Sequence, residues 1–124
     1  MARILVVDDD ALDRMILDSL VNQAGHEPVF AEDGEEAMAL FERQEFDLVV
    51  TDLVMPKVNG LRLIRQIMEV APDTAIIAIT GTSPEQLSRA QDYGAVVTLV
   101  KPLDPDILFQ TIEDVLAEKE PSQT

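Results

Sequence analysis

The chain has 124 residues, about one domain, with 47% hydrophobic and 27% charged residues, which supports a packed core and excludes a disordered chain. It has no cysteine, which excludes disulfides and thiol chemistry, and its net charge of −15, from 24 acids against 9 bases, repels nucleic-acid phosphates and anionic membranes. The start, MARILVVDDD, lacks a signal-peptide core and no apolar stretch is long enough to span a bilayer, so the expectation is a cytoplasmic protein with no direct nucleic-acid or membrane partner.

Arg3 to Val7 supplies ILVV, a short β-favouring run of the kind buried on both faces of a parallel sheet. It ends in three acids, Asp8, Asp9 and Asp10. Asp10 is placed to cap the next helix, where Leu12, Met15, Ile16, Leu20, Val21 and Ala24 recur at helical spacing up to Gly25. Asp8 and Asp9 are left without a capping role. His26, the only histidine, stands in a polar turn and is expected to be a solvated side chain rather than a ligand or a base. Pro28 to Ala31 reads as a weaker strand near a sheet edge, and Asp33-Gly34-Glu35-Glu36 as an acidic capping box before a helix whose apolar face is Ala37, Met38, Leu40 and Phe41.

The stretch from 46 to 60, FDLVVTDLVMPKVNG, is a third buried strand ending at Asp52, followed by a turn punctuated by Met55, Pro56 and Gly60. A single Asp at such a place is by itself a turn former or a cap, so its meaning depends on what else reaches the same edge. Leu61, Ile64, Ile67, Met68 and Ala71 then repeat at helical spacing until Pro72. Ala75 to Ile79 is an all-apolar strand ending at Thr80-Gly81. Ser83-Pro84-Glu85-Gln86 is a capping box opening a helix that runs to Tyr93-Gly94. Ala95 to Val100 makes a fifth strand ending at Lys101-Pro102, and Asp104-Pro105 starts a last helix with Leu108, Ile112, Val115 and Leu116 inward. The expected organisation is one domain over 1–119 with a flexible tail over 120–124.

Five strand–helix units imply an α/β fold: a doubly wound five-stranded parallel sheet with helices on both faces, for which the flavodoxin-like order 2-1-3-4-5 is the common one. In that order strands one and three are neighbours, and Asp8, Asp9 and Asp52 meet at the switch point. Three packed carboxylates repel unless a cation neutralises them, and hard oxygen ligands suit Mg²⁺. The Thr80 hydroxyl and the Lys101 ammonium complete a set of donors aimed at a phosphoryl group.

With ILVVDD, TDLVMPKVNG, ITG and VKP at successive strand ends, the chain resembles the receiver domain of two-component response regulators over essentially its whole length. The resemblance implies that Asp52 is the phosphoacceptor, taking a phosphoryl group from a sensor histidine kinase or a histidine phosphotransfer protein. It also implies Mg²⁺ held by Asp9, Asp52 and the main-chain carbonyl of Val54, with Asp8 acting through metal-bound water. Lys101 would pair with a phosphoryl oxygen or the acceptor carboxylate, and Thr80 would hydrogen-bond the group, biasing the face of the fourth helix, fifth strand and fifth helix toward a downstream protein or a fused output domain. The Lys101-Pro102 peptide would be cis. The protein would be a monomer or weak dimer, and no enzyme beyond its own phosphoryl transfer and autodephosphorylation. At the switch position that is often aromatic in this family stands Thr98, so the 81–83 loop is expected to carry the signal instead. Val54 cannot orient water, which implies slow autodephosphorylation.

Two alternatives remain. A haloacid-dehalogenase-like Mg²⁺-dependent phosphatase would use Asp8 and Asp10 in D-x-D spacing, but Leu12 breaks that motif and no acid pair follows the lysine at a further strand end. A degenerate receiver, acting as a phosphorylation-independent binding module, would be expected to lack an acid or the lysine, and none is missing here.

Overall fold

The computed structural model describes residues 2–53, 59–81 and 84–118. Strands and helices alternate along them: β1 (Arg3–Val7), α1 (Ala11–Gln23), β2 (Glu27–Ala31), α2 (Gly34–Arg43), β3 (Leu48–Asp52), α3 (Gly60–Val70), β4 (Ala75–Thr80), α4 (Pro84–Tyr93), β5 (Val97–Val100) and α5 (Pro105–Glu118). Every strand pairing is parallel and the order is β2-β1-β3-β4-β5, the expected doubly wound arrangement.

The apolar runs explain this sheet. Side chains alternate across a strand, so a run without polar interruptions is stable only where both faces are covered. Leu5, Val7, Val49, Ile76 and Ala78 pack on one face with Leu63, Ile64 and Ile67 of α3. Ile4, Val6, Val50, Ile77 and Ile79 pack on the other with Leu17 and Val21 of α1 and Leu108 and Ile112 of α5. Each fully buried Leu or Ile contributes on the order of 2 kcal/mol, so two such layers hold the strand ends in place. β2 and β5 lie at the edges and are less buried than β3 and β4.

Several local readings hold. Asp10 caps α1 by accepting from the amides of Leu12 and Asp13, and Gly25 turns the chain with φ 85°. Asp33 accepts from the Glu36 amide while the Glu36 carboxylate accepts from the Glu32 amide, one residue earlier than in a standard capping box. The Lys101-Pro102 peptide is cis. Ser83 of the other capping box and the 120–124 tail lie outside the described residues.

Three expectations need correction. In α1 the face against the sheet is Leu17, Leu20 and Val21, whereas Leu12, Met15 and Ile16 are 65%, 68% and 45% exposed. The apolar positions of this helix wrap more than one face, so period alone did not select the buried one. β5 begins at Val97, two residues late, because the Ala95 amide is used to close α4 by donating to the Ala90 carbonyl. His26 is a structural bridge: its Nδ1 accepts from the Ala2 amide at 3.0 Å and its Nε2 lies 2.8 Å from Glu113 on α5. With 12% of its side chain exposed, it is not the solvated residue that its polar turn suggests.

Candidate functional site at the C-terminal sheet edge

The parallel sheet aims all its strand ends at one edge, and the polar residues terminating the apolar runs collect there. Asp8 and Asp9 follow β1, Asp52 ends β3, Thr80 ends β4 and Lys101 follows β5. Asp8, Asp52 and Thr80 are buried, at 1%, 7% and 1% exposure, while Asp9 is exposed. Because β1 lies beside β3, the three acids meet: one carboxylate oxygen from each of Asp8, Asp9 and Asp52 lies within 4.8 Å of the others.

Backbone contacts fasten these ends. The Lys101 amide donates to the Thr80 carbonyl at 2.9 Å, and the Leu53 amide to the Ile79 carbonyl at 3.0 Å. The Thr51 hydroxyl donates to the Asp52 carbonyl at 2.8 Å, and Arg14 of α1 donates to the Asp8 carbonyl at 2.7 Å. Thr98 sits half-buried on β5 opposite Ala78, on the strand leading to Lys101. Val54, Thr82 and Ser83, which include the carbonyl ligand and most of the 81–83 loop expected from sequence, lie outside the described residues.

Lys101 reaches across the cluster. Its Nζ donates to Asp13 at 2.7 Å, to Asp52 at 2.9 Å and to Asp8 at 3.2 Å. Burial alone would lower the pKa of this amine, but the hydrogen bonds to Asp13 and Asp52 and the charges of Asp52 and Asp8 outweigh it, raising the pKa above the ordinary lysine value. Burial is also the main influence on Asp8, pushing its carboxyl above the usual 3.8 despite the Asp10 amide and Lys101, with the neighbouring charge of Asp52 adding to the rise. Among the described residues the Lys101 ammonium thus contacts Asp8, Asp13 and Asp52, and Asp9 is grouped with Asp8 and Asp52. Such a donor set, all carboxylate oxygen and short of positive charge, fits a hard divalent cation such as Mg²⁺.

Sequence reasoning missed Asp13, Arg14 and Thr51. Asp13 in the first turn of a helix reads as a favourable partner of the helix dipole, and only the position of Lys101 shows what it contacts. Among the described residues, no helix is long and apolar enough to cross a membrane.

Comparison with known proteins agrees with this arrangement. Residues 4–113 match the family model of the response regulator receiver domain. The chain is 37% identical over 120 residues to Protein PilH of Pseudomonas aeruginosa, covering 94% of this chain and 99% of that protein. It is 34% identical over 123 residues to the transcriptional regulatory protein GlrR of Escherichia coli, covering 98% of this chain but only 28% of GlrR. A CheY-like receiver domain protein from Methanospirillum hungatei superposes with a TM-score of 0.93 at 28% identity, covering 98% of both chains. With the 2-1-3-4-5 sheet, the acidic trio and the lysine at one edge, and a family match over most of its length, the chain belongs to the response regulator receiver domain family.

Proposed function

We propose that this receiver works as a phosphoacceptor in a phosphorelay, with Asp52 as the residue that is phosphorylated. The observation carrying this reading is the placement of the Asp52 carboxylate at the sheet edge, 2.9 Å from Lys101 and grouped with Asp8 and Asp9. An Asp52 oxygen attacks the phosphorus of a phosphohistidine on a sensor histidine kinase or a histidine phosphotransfer protein. The P–O bond forms as the P–N bond breaks, and the imidazole nitrogen keeps the bonding pair.

Asp9 and Asp52, with Asp8 behind them, would hold Mg²⁺, which when bound neutralises charge developing on the transferred group. Lys101 has the reach to donate to a phosphoryl oxygen on Asp52. Thr80, buried at the end of the adjacent strand, has a hydroxyl to offer the same group. A contact made there passes to β5 through the Thr80 carbonyl and the Lys101 amide. The receiver would therefore signal to a downstream protein or a fused output domain through α4, β5 and α5, without turning over substrate as an enzyme.

Intact mass after incubation with acetyl phosphate and Mg²⁺ tests this. One phosphoryl increment is expected, dependent on the metal and absent in Asp52→Asn. No increment in the parent protein would refute the reading.

A further inference from the structure

An ammonium has three N–H donors, and in Lys101 all three are committed, to Asp13, Asp52 and Asp8. Two of these partners also belong to the carboxylate trio that fits a divalent cation. A lysine ammonium and a metal on the same two carboxylates oppose each other by charge. Asp13 is the third partner, the nearest of the three, and it stands outside the trio.

Asp13 is held independently of the lysine. It lies in the first turn of α1, where the Asp10 side chain accepts from the Leu12 and Asp13 amides and the Asp10 carbonyl accepts from the Arg14 amide. Arg14 in turn donates to the Asp8 carbonyl, which fastens this turn to the end of β1. The Asp13 carboxylate, 32% exposed, borders a cavity of about 410 Å³ that Gly81, Lys101 and Pro102 also line. The carboxylate thus offers the ammonium a partner outside the acidic trio, on an anchored helix.

We infer that Asp13 is a positioning residue for the phosphoryl transfer proposed above, holding the Lys101 ammonium toward α1 so that Asp8 and Asp52 can turn to the metal while the lysine stays within reach of the phosphoryl group. This rests on the receiver reading of the site. Without Asp13 the ammonium keeps only Asp8 and Asp52 as partners among these acids. It then settles on the two groups the cation needs.

The test is a double-mutant cycle on Mg²⁺ affinity of the full chain, followed by backbone amide shifts, with the wild type, Asp13→Asn, Lys101→Met and the double variant. Asp13→Asn is expected to weaken Mg²⁺ binding about fivefold when Lys101 is present and by less than about twofold when it is methionine. The dependence on Lys101 separates positioning from the attraction that any nearby negative charge exerts on the cation. Equal losses in both backgrounds, or no loss in either, would overturn the inference. The same spectra report folding, and Asp13→Ser serves as a second variant if Asn disturbs the helix. Failure of the receiver reading is visible separately: wild type that binds Mg²⁺ but gains no phosphoryl mass refutes the proposed function, and the cycle still decides whether Asp13 acts through Lys101.

Discussion

Gly60 packs its Cα against the backbone of Asp52: a methyl group there would collide with the Asp52 carbonyl oxygen and stand 2.6 Å from the Leu53 Cα. The Gly60 amide donates to the Leu53 carbonyl at 3.1 Å, and the Thr51 hydroxyl holds the Asp52 carbonyl. The start of α3 is thus seated directly on the strand end that carries the central acid. Backbone cannot move aside as a flexible side chain can. Gly60→Ala is expected to cost about 1–3 kcal/mol by overpacking and to slow phosphorylation by acetyl phosphate. Urea unfolding with an unchanged midpoint would refute it.

Asp8 makes the metal-free protein sensitive to pH. Burial raises its carboxyl pKa in the folded state above 3.8, so the folded state holds this proton more tightly than the unfolded state does. The stabilising contribution is therefore complete below pH 3.8 and is lost as pH rises through the folded value. At neutral pH the ionised, buried group is a burden. With EDTA at pH 7, Asp8→Asn is expected to melt a few degrees higher than wild type, with the advantage shrinking toward pH 4. A lower melting temperature for the variant at pH 7 would contradict this.

Mg²⁺ should relieve the same burden. At tenfold its dissociation constant a ligand that binds only the folded state adds about 1.4 kcal/mol. Melting in increasing Mg²⁺ should show this gain in wild type and most of it lost in Asp9→Asn. Equal gains in both proteins would remove Asp9 from the metal site.

His26 links the start of β1 to α5 through the Ala2 amide and Glu113. Replacing it with alanine leaves that amide without its acceptor in a part-buried setting. His26→Ala is expected to lower stability by about 1–3 kcal/mol, read as a shifted urea midpoint with an unchanged slope. A change below about 0.5 kcal/mol is what a solvated surface residue gives, and would restore that description.

Asp8, Asp9, Asp52, Thr80 and Lys101 are legible in the sequence because each closes or directly follows an apolar run, and the burial that makes the run a strand also makes its polar end conspicuous. The Asp10 cap and the Asp33 box are legible for a related reason: their partners lie two to four residues away. His26 and Asp13 are not, since Glu113 is 87 residues from one and Lys101 is 88 residues from the other. Gly60 reads only as a turn residue until Asp52 is seen beneath it. By itself the sequence determined the alternation of buried strands with amphipathic helices and the residue that ends each strand, because those follow from local periodicity and composition. Strand order, the buried face of α1 and the three carboxylates that Lys101 contacts were decided only by tertiary structure, because hydrophobic pattern says that a surface must be covered and is blind to which neighbour covers it.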